Sequence, residues 1–343
     1  MRYKRIGNTG LAVSELCLGT NTFGGAGDNF WRTLGGLDQT IVNTIVAGAI
    51  DAGINFLDTA DSYSNGESEE RIGSAIKELH LNRHDLVIAT KIGGRLGSGP
   101  NASGASRVHI LNAVEGSLRR LQVDHIDLCM VHYFDPATPL EETLRVLDRL
   151  VQDGKIRYLG CSNFAAWETM KSLGISRQEN LARFEFVECH WSIATRELER
   201  EIVPLVLDQK LGLLVWGPLL GGLLTGKFAA ESPVQTASRT RGDIPAVLNR
   251  DRLNQTMTVL SRVAIPRNAT PGQIALAWLL HQPAVTSVLF GTRTVTQLVD
   301  NIDAANIRLT AEELDALDQS TAIPPEYGPW LVRNARSDRA RLV

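Results

Sequence analysis

The sequence predicts an α/β fold: a closed (β/α)8 TIM barrel with an N-terminal β-hairpin and a C-terminal loop and helix extension. Three observations carry this. Short apolar runs alternate with amphipathic stretches along almost all of the 343 residues, the pattern of strands joined by crossover helices. The runs number eight, enough for one closed barrel. Most are apolar at nearly every position, as strands covered on both faces are. The expectation is a single domain over residues 1–343.

Taken in order, Arg2 to Thr20 opens with two short extended pieces around Asn8-Thr9-Gly10, the turn of a hairpin that plugs or caps the barrel. The strand-like runs are Glu15 to Gly19, Asn55 to Asp58, Leu86 to Lys91, Ile126 to His132, Ile156 to Ser162, Phe184 to Glu188, Gly212 to Trp216 and Val285 to Phe290. Between them, Val42, Ile45, Val46 and Ala49 lie on one helical face, with Asp38 as a start and Gly53 as a stop. Leu111, Val114, Leu118 and Leu121 repeat this after Ser106. Thr138-Pro139-Leu140-Glu141 and Thr270-Pro271-Gly272-Gln273 each offer a capping Thr, a Pro in the first turn and a side chain that reaches back to the cap. Thr310 to Glu313 offers a similar box. Gly93 to Gly104, Ala229 to Arg250 and the tail from Pro324 break the regularity, and loops this long form lids or pocket walls. A doubly wound dinucleotide fold needs G-x-G-x-x-G after its first strand, whereas Gly19 is followed by T-N-T-F-G-G.

Composition narrows the class. The chain is 43% hydrophobic and 21% charged, and no 18-residue apolar run suits a bilayer. Met1 to Ile6 has no apolar stretch behind its basic residues, so the expected compartment is the cytoplasm, with no membrane partner. Net charge is −3, and the basic cluster Arg333, Arg336, Arg339 and Arg341 reads as a solvated tail, so no nucleic-acid partner is expected. Cys17, Cys129, Cys161 and Cys189 are too dispersed for a zinc site and read as buried free thiols. No metal is expected.

In such a barrel the chemistry collects at the C-terminal ends of the strands. The residues there are Asp58, Lys91, His132, Ser162 and Asn163, Glu188, Trp216, and Gly291 to Arg293, with Tyr63 in the loop after the second strand. A carboxylate ending an apolar run needs a partner if buried, and Lys91 is the candidate for Asp58. Reduction of a carbonyl leaves an alkoxide that needs a proton. Tyr63 can donate it, Lys91 can stabilise the phenolate, Asp58 can keep Lys91 charged, and His132 can polarise the carbonyl with a neutral N–H. Any one of these residues taken alone reads equally as a loop contact or a core polar group.

The motifs D-T-A-x-x-Y (Asp58 to Tyr63), T-K (Thr90, Lys91), H-x-x-D (His132 to Asp135), G-C-S-N (Gly160 to Asn163) and W-G-P-L followed by G-L-L-T-G-K (Trp216 to Lys227) resemble the aldo-keto reductase superfamily, in the manner of a bacterial member. The resemblance implies a catalytic tetrad of Asp58, Tyr63, Lys91 and His132, an NADP(H) cofactor and a small carbonyl or alcohol substrate. It implies that Gly19, Thr20 and Glu188 line the cofactor, that Ser162 and Asn163 hold its carboxamide, and that Trp216 stacks on its ring. Gly217, Leu219, Gly222 and Lys227 would cover the pyrophosphate. The stretch from Gly221 to Lys227 follows Walker A spacing, but Phe228 stands where Ser or Thr is required. Gly291, Thr292, Arg293, Gln297 and Asn301 surround the expected start of the last barrel helix, where amide groups and the helix dipole favour a phosphate and Arg293 can pair with a 2′-phosphate. Glu188 stands where the family usually has Gln, and a carboxylate cannot donate as an amide does. Gln297 and Asp300 stand where many members carry Arg and Glu. Phe30, Trp31, Tyr133, Phe134 and Trp330 are candidate walls of the substrate pocket. Two rivals are a non-catalytic sensory barrel that binds the cofactor, and a Schiff-base aldolase using Lys91.

Overall fold

The computed structural model describes residues 1–25, 27–226 and 250–328. Strands β1 (Tyr3–Arg5) and β2 (Ala12–Ser14) form the antiparallel hairpin. Eight parallel strands then close a barrel: β3 (Leu16–Gly19), β4 (Phe56–Asp58), β5 (Val87–Ile92), β6 (Ile126–Val131), β7 (Ile156–Ser162), β8 (Phe184–His190), β9 (Gly212–Trp216) and β10 (Val285–Gly291), with β10 pairing back onto β3. The helices are α1 (Asn29–Leu34), α2 (Gln39–Asp51), α3 (Glu67–Glu78), α4 (Arg107–Leu121), α5 (Leu140–Gln152), α6 (Ala166–Glu179), α7 (Ile202–Gln209), α8 (Arg250–Ala264), α9 (Pro271–Leu280), α10 (Val295–Asp303) and α11 (Ala311–Thr321). The expected fold is therefore the observed one.

Local chemistry explains most boundaries. Asp38 accepts a hydrogen bond from the Ile41 amide and opens α2, which buries Val42, Ile45, Val46 and Ala49. Ser106 caps α4, and Thr270 with Gln273 and Thr310 with Glu313 form the reciprocal boxes of α9 and α11. The fifth expected cap, Thr138, differs. Pro139 is the residue that precedes α5, and it offers no side-chain cap. Thr138 spends its hydroxyl on Asp135, 2.7 Å away, which competes successfully with the helix terminus.

The hairpin plugs the barrel. Ile6 and Val13 pack in one interior cluster with Cys17, Phe56, Val87, Ala89, Leu128, Met130, Phe186, Leu214 and Leu289. Gly7, in the hairpin loop at φ +50°, sits so close to the starts of β8 and β9 that a Cβ there would lie 2.3 Å from the Glu185 carbonyl. This closes the N-terminal end and leaves the strands' C-terminal ends for the site. Among the described residues no helix is long and apolar enough to cross a membrane.

Candidate active site

Period two builds the site. Successive strand residues point to opposite faces, so a residue two positions past an interior one also faces inward. Phe56, Ala89, Met130, Phe186 and Leu214 face the interior cluster, and two positions on stand Asp58, Lys91, His132, Glu188 and Trp216. Parallel registers set Asp58 beside Ala89, Lys91 beside Met130, and Ser162 beside Glu188. The inward row thus changes from apolar to polar within one step of the mouth.

Lys91 donates to both oxygens of Asp58, at 2.7 and 2.6 Å, and to the Thr59 carbonyl at 3.1 Å. Its ammonium is also 3.3 Å from Glu188 and 5.1 Å from the centre of the Tyr63 ring. Burial opposes the Lys91 charge, but Asp58 and Glu188 outweigh it and hold the ammonium well above the usual lysine range. Burial pushes Asp58 upward against the pull of Lys91, and it pushes Glu188 much further. His132 is driven down to about 3 by burial, with Lys91 adding to it, so its imidazole is neutral. The Tyr63 ring stands edge-on to His132, 6.0 Å between centres. Tyr63 begins a tight turn whose next residues, Ser64 and Asn65, have φ of +51° and +57°. Such backbone costs about 1–3 kcal/mol per residue, and the Ser64 hydroxyl anchors it on the Phe23 carbonyl.

Expectation and structure differ over Tyr63. Lys91 does lower the phenol, but burial is the larger effect and the net direction is upward. The phenol keeps its proton through neutral pH.

Along the rim, Asn163 donates to the Ser162 hydroxyl at 3.0 Å and to the His132 carbonyl at 3.2 Å, and accepts from the Trp216 indole at 3.0 Å. Trp216 is 37% exposed, an indole held by its edge with area left open to the mouth. Gly217 and Gly222 have φ of +67° and +101°, with Leu219 between them at the start of a tight turn, Leu220–Thr225. Gly19 ends β3 beside Gly291, and the Thr20 hydroxyl bonds the Asp58 carbonyl. Thr294 caps α10, Thr292 bonds the Thr294 carbonyl, and Asn301 is buried on the helix. Two side chains expected to face a nucleotide have local partners: Gln297 accepts from the Arg293 amide, and Arg293 donates to the Thr33 and Leu34 carbonyls. Lys227 lies outside the described residues.

A sequence profile described as the aldo/keto reductase family matches residues 15–322. The chain belongs to that family. It is 35% identical over 342 residues to an uncharacterised oxidoreductase, YrpG, of Bacillus subtilis, covering 96% of this chain and 100% of that protein. It is 34% identical over 334 residues to a candidate voltage-gated potassium channel subunit beta of Schizosaccharomyces pombe, covering 94% of each. It is 31% identical over 339 residues to versiconal hemiacetal acetate reductase of Aspergillus parasiticus, covering 93% of this chain and 96% of that protein. These relatives span bacteria and fungi, so they do not single out a bacterial member.

In this aldo/keto reductase family member, aromatic residues gather around Tyr63 and His132. The half-buried Trp31 stands 6.1 Å from the Tyr63 ring and 5.1 Å from Phe30, and Tyr133 stacks on His132 at 4.2 Å. Phe134, half-buried, packs edge-on against Phe164 and Trp167 and against the margin of the core. Trp330 lies outside the described residues. Those residues hold no cluster of three or more His, Cys, Asp or Glu side chains suited to a metal.

Sequence reading passed over Asp61, although it shares the D-T-A-D run with Asp58. Asp61 is fully buried, and burial with Glu69 nearby raises its carboxyl to about 7. A group protonated more tightly in the folded state contributes stability at low pH that is lost as pH rises through its folded pKa. Asp61→Asn is therefore expected to gain on the wild type progressively from about pH 4 to 7 and then level off, by on the order of a few kcal/mol. Urea unfolding across that range checks it, and a constant difference between the two proteins would remove Asp61 as the titrating group.

Proposed function

We propose that the protein reversibly transfers a hydride between NADP(H) and a small aldehyde or ketone, with Tyr63 giving the proton in the direction of reduction. The observation that carries this is the cluster at the mouth. Lys91 is bound to Asp58 at 2.6 Å, and it lies beside a phenol that keeps its proton and a histidine that stays neutral. The nicotinamide cofactor supplies the hydride that no side chain can. The rim residues fit it: the partly open indole of Trp216 suits a flat ring, and Ser162 and Asn163 suit a carboxamide. Preference for the 2′-phosphorylated form is part of this proposal, and it requires Arg293 at the start of α10 to exchange the Thr33 and Leu34 carbonyls for the phosphate. All four cysteines are free and buried, which supports action in a reducing compartment, the cytoplasm.

Within the pocket, His132 orients and polarises the carbonyl oxygen as a neutral donor. Tyr63 passes its proton to that oxygen, and Lys91 stabilises the phenolate left behind. Asp58 holds the ammonium in place. A Schiff-base role for Lys91 is disfavoured, because a protonated amine bonded to two carboxylate oxygens and a carbonyl has no lone pair to attack with. A sensory reading draws support from the channel-subunit relative. The test is NADPH oxidation, followed by absorbance, over a panel of aldehydes and ketones. Turnover supports the reductase, tight NADPH binding with no turnover on any carbonyl supports the sensor, and absence of binding overturns both.

A further inference from the structure

Three ionisable groups meet at the ends of β4, β5 and β8, and none is more than 3% exposed: Asp58, Lys91 and Glu188. They comprise one ammonium and two carboxyl groups. An ammonium has three hydrogens to give. Lys91 gives two to Asp58 and one to the Thr59 carbonyl, so Glu188, at 3.3 Å, receives attraction but no hydrogen of its own. The other Glu188 oxygen is buried with no hydrogen-bond partner among the described residues. A carboxylate buried in this way is unstable by several kcal/mol, whereas a protonated acid is not. Asp58 and Glu188 share Lys91 as their cation, and the Asp58 charge raises the Glu188 carboxyl further. One proton, on the carboxyl group that receives no hydrogen from Lys91, removes the uncompensated buried charge.

We propose that Glu188 holds this proton over Asp58, and that its loss converts the end of β8 into an anionic position that favours the oxidised, positively charged nicotinamide over the reduced one. The cofactor half rests on the nicotinamide reading above. The other titratable groups facing Glu188 are Tyr63, Cys17 and Cys189. Burial pushes all three upward and keeps them neutral, and His132, beyond Lys91, is neutral too. Lys91 is therefore the cation that balances the cluster. With the proton in place the three groups sum to zero charge; without it they sum to minus one. Ser162 neighbours Glu188 in the sheet, and the Trp216 indole stands at the end of the next strand. Trp216 pairs with His190, two residues beyond Glu188, so a ring stacked on that indole lies over the strand end that carries the charge. On binding of the oxidised form, the proton leaves Glu188 for the solvent buffer and its carboxylate balances the ring. On binding of the reduced form the acid stays intact. A Gln at this position would offer a fixed amide and no such titration.

Infrared spectroscopy of the wild type at about pH 8.5, above the titration of Asp61, reads the proton without any variant. A carboxylic-acid carbonyl band is expected in the free protein and with NADPH, and its loss with NADP+. Calorimetry of NADP+ binding in buffers of different ionisation enthalpy is expected to show release of a proton, absent for NADPH and absent in Glu188→Gln. NADP+ affinity of the wild type is expected to tighten by as much as tenfold per pH unit, the limit for one linked proton, and that of Glu188→Gln to stay flat. The proposal is overturned by the absence of the acid band in the free wild type, or by proton release that survives in Glu188→Gln. If neither nucleotide binds, the nicotinamide reading falls together with the redox preference. The band, measured without nucleotide, distinguishes that result from a failure of the proton assignment.

Discussion

Tyr63→Phe is expected to lower turnover on any accepted carbonyl by about 10²–10⁴-fold, the usual contribution of a positioned general acid, while nucleotide binding is unchanged. The substitution removes one oxygen and keeps the ring that stands between Trp31 and His132. Burial keeps the phenol protonated above neutral pH even with Lys91 pulling the other way. The reduction rate of the wild type is therefore not expected to fall through neutral pH by loss of the Tyr63 proton. Steady-state kinetics with the two proteins check both statements. Wild-type turnover in the Phe variant would show that another group delivers the proton.

Lys91→Met is expected to be the most destabilising single change at the site, by about 3–5 kcal/mol, the cost of removing one partner from a buried ion pair. Here the loss strands two carboxyl groups, Asp58 and Glu188, in one dry pocket. With the ammonium gone, burial and mutual repulsion raise both folded-state pKa values above the unfolded ones. The folded state then binds more protons, so stability is retained at low pH and lost as pH rises. The deficit relative to wild type should grow between about pH 5 and 8. Asp58→Asn should cost less, because Glu188 can ionise and replace Asp58 as the counterion. Denaturant unfolding of the three proteins at both ends of that range tests the ordering. An Asp58→Asn deficit as large as that of Lys91→Met would show that Glu188 cannot take over.

The architecture was readable because its causes are local. Most barrel strands are near-continuous apolar runs, and most helices start at a Thr, Ser or Asp whose side chain bonds an amide three residues on. The start of α5 was misplaced because Thr138 had a competing partner, Asp135, that a capping pattern does not reveal. The site residues were readable by type for a related reason: period two makes a polar residue one step beyond an interior apolar one stand at the mouth. Phe134 is two positions past His132, and what it meets there, Phe164 and Trp167, is set by the fold rather than by position in the chain.

The sequence by itself determined the barrel, the residues on its rim and the pairing of Asp58 with Lys91. Only the tertiary structure decided how charge and protons are distributed among them. Lys91 and Asp58 are 33 positions apart and meet only when the strands close. Closure uses all three hydrogens of Lys91, leaves Glu188 without one, and sets burial against attraction at Tyr63. Those outcomes depend on distance and on exclusion of water, which a linear order of residues does not contain.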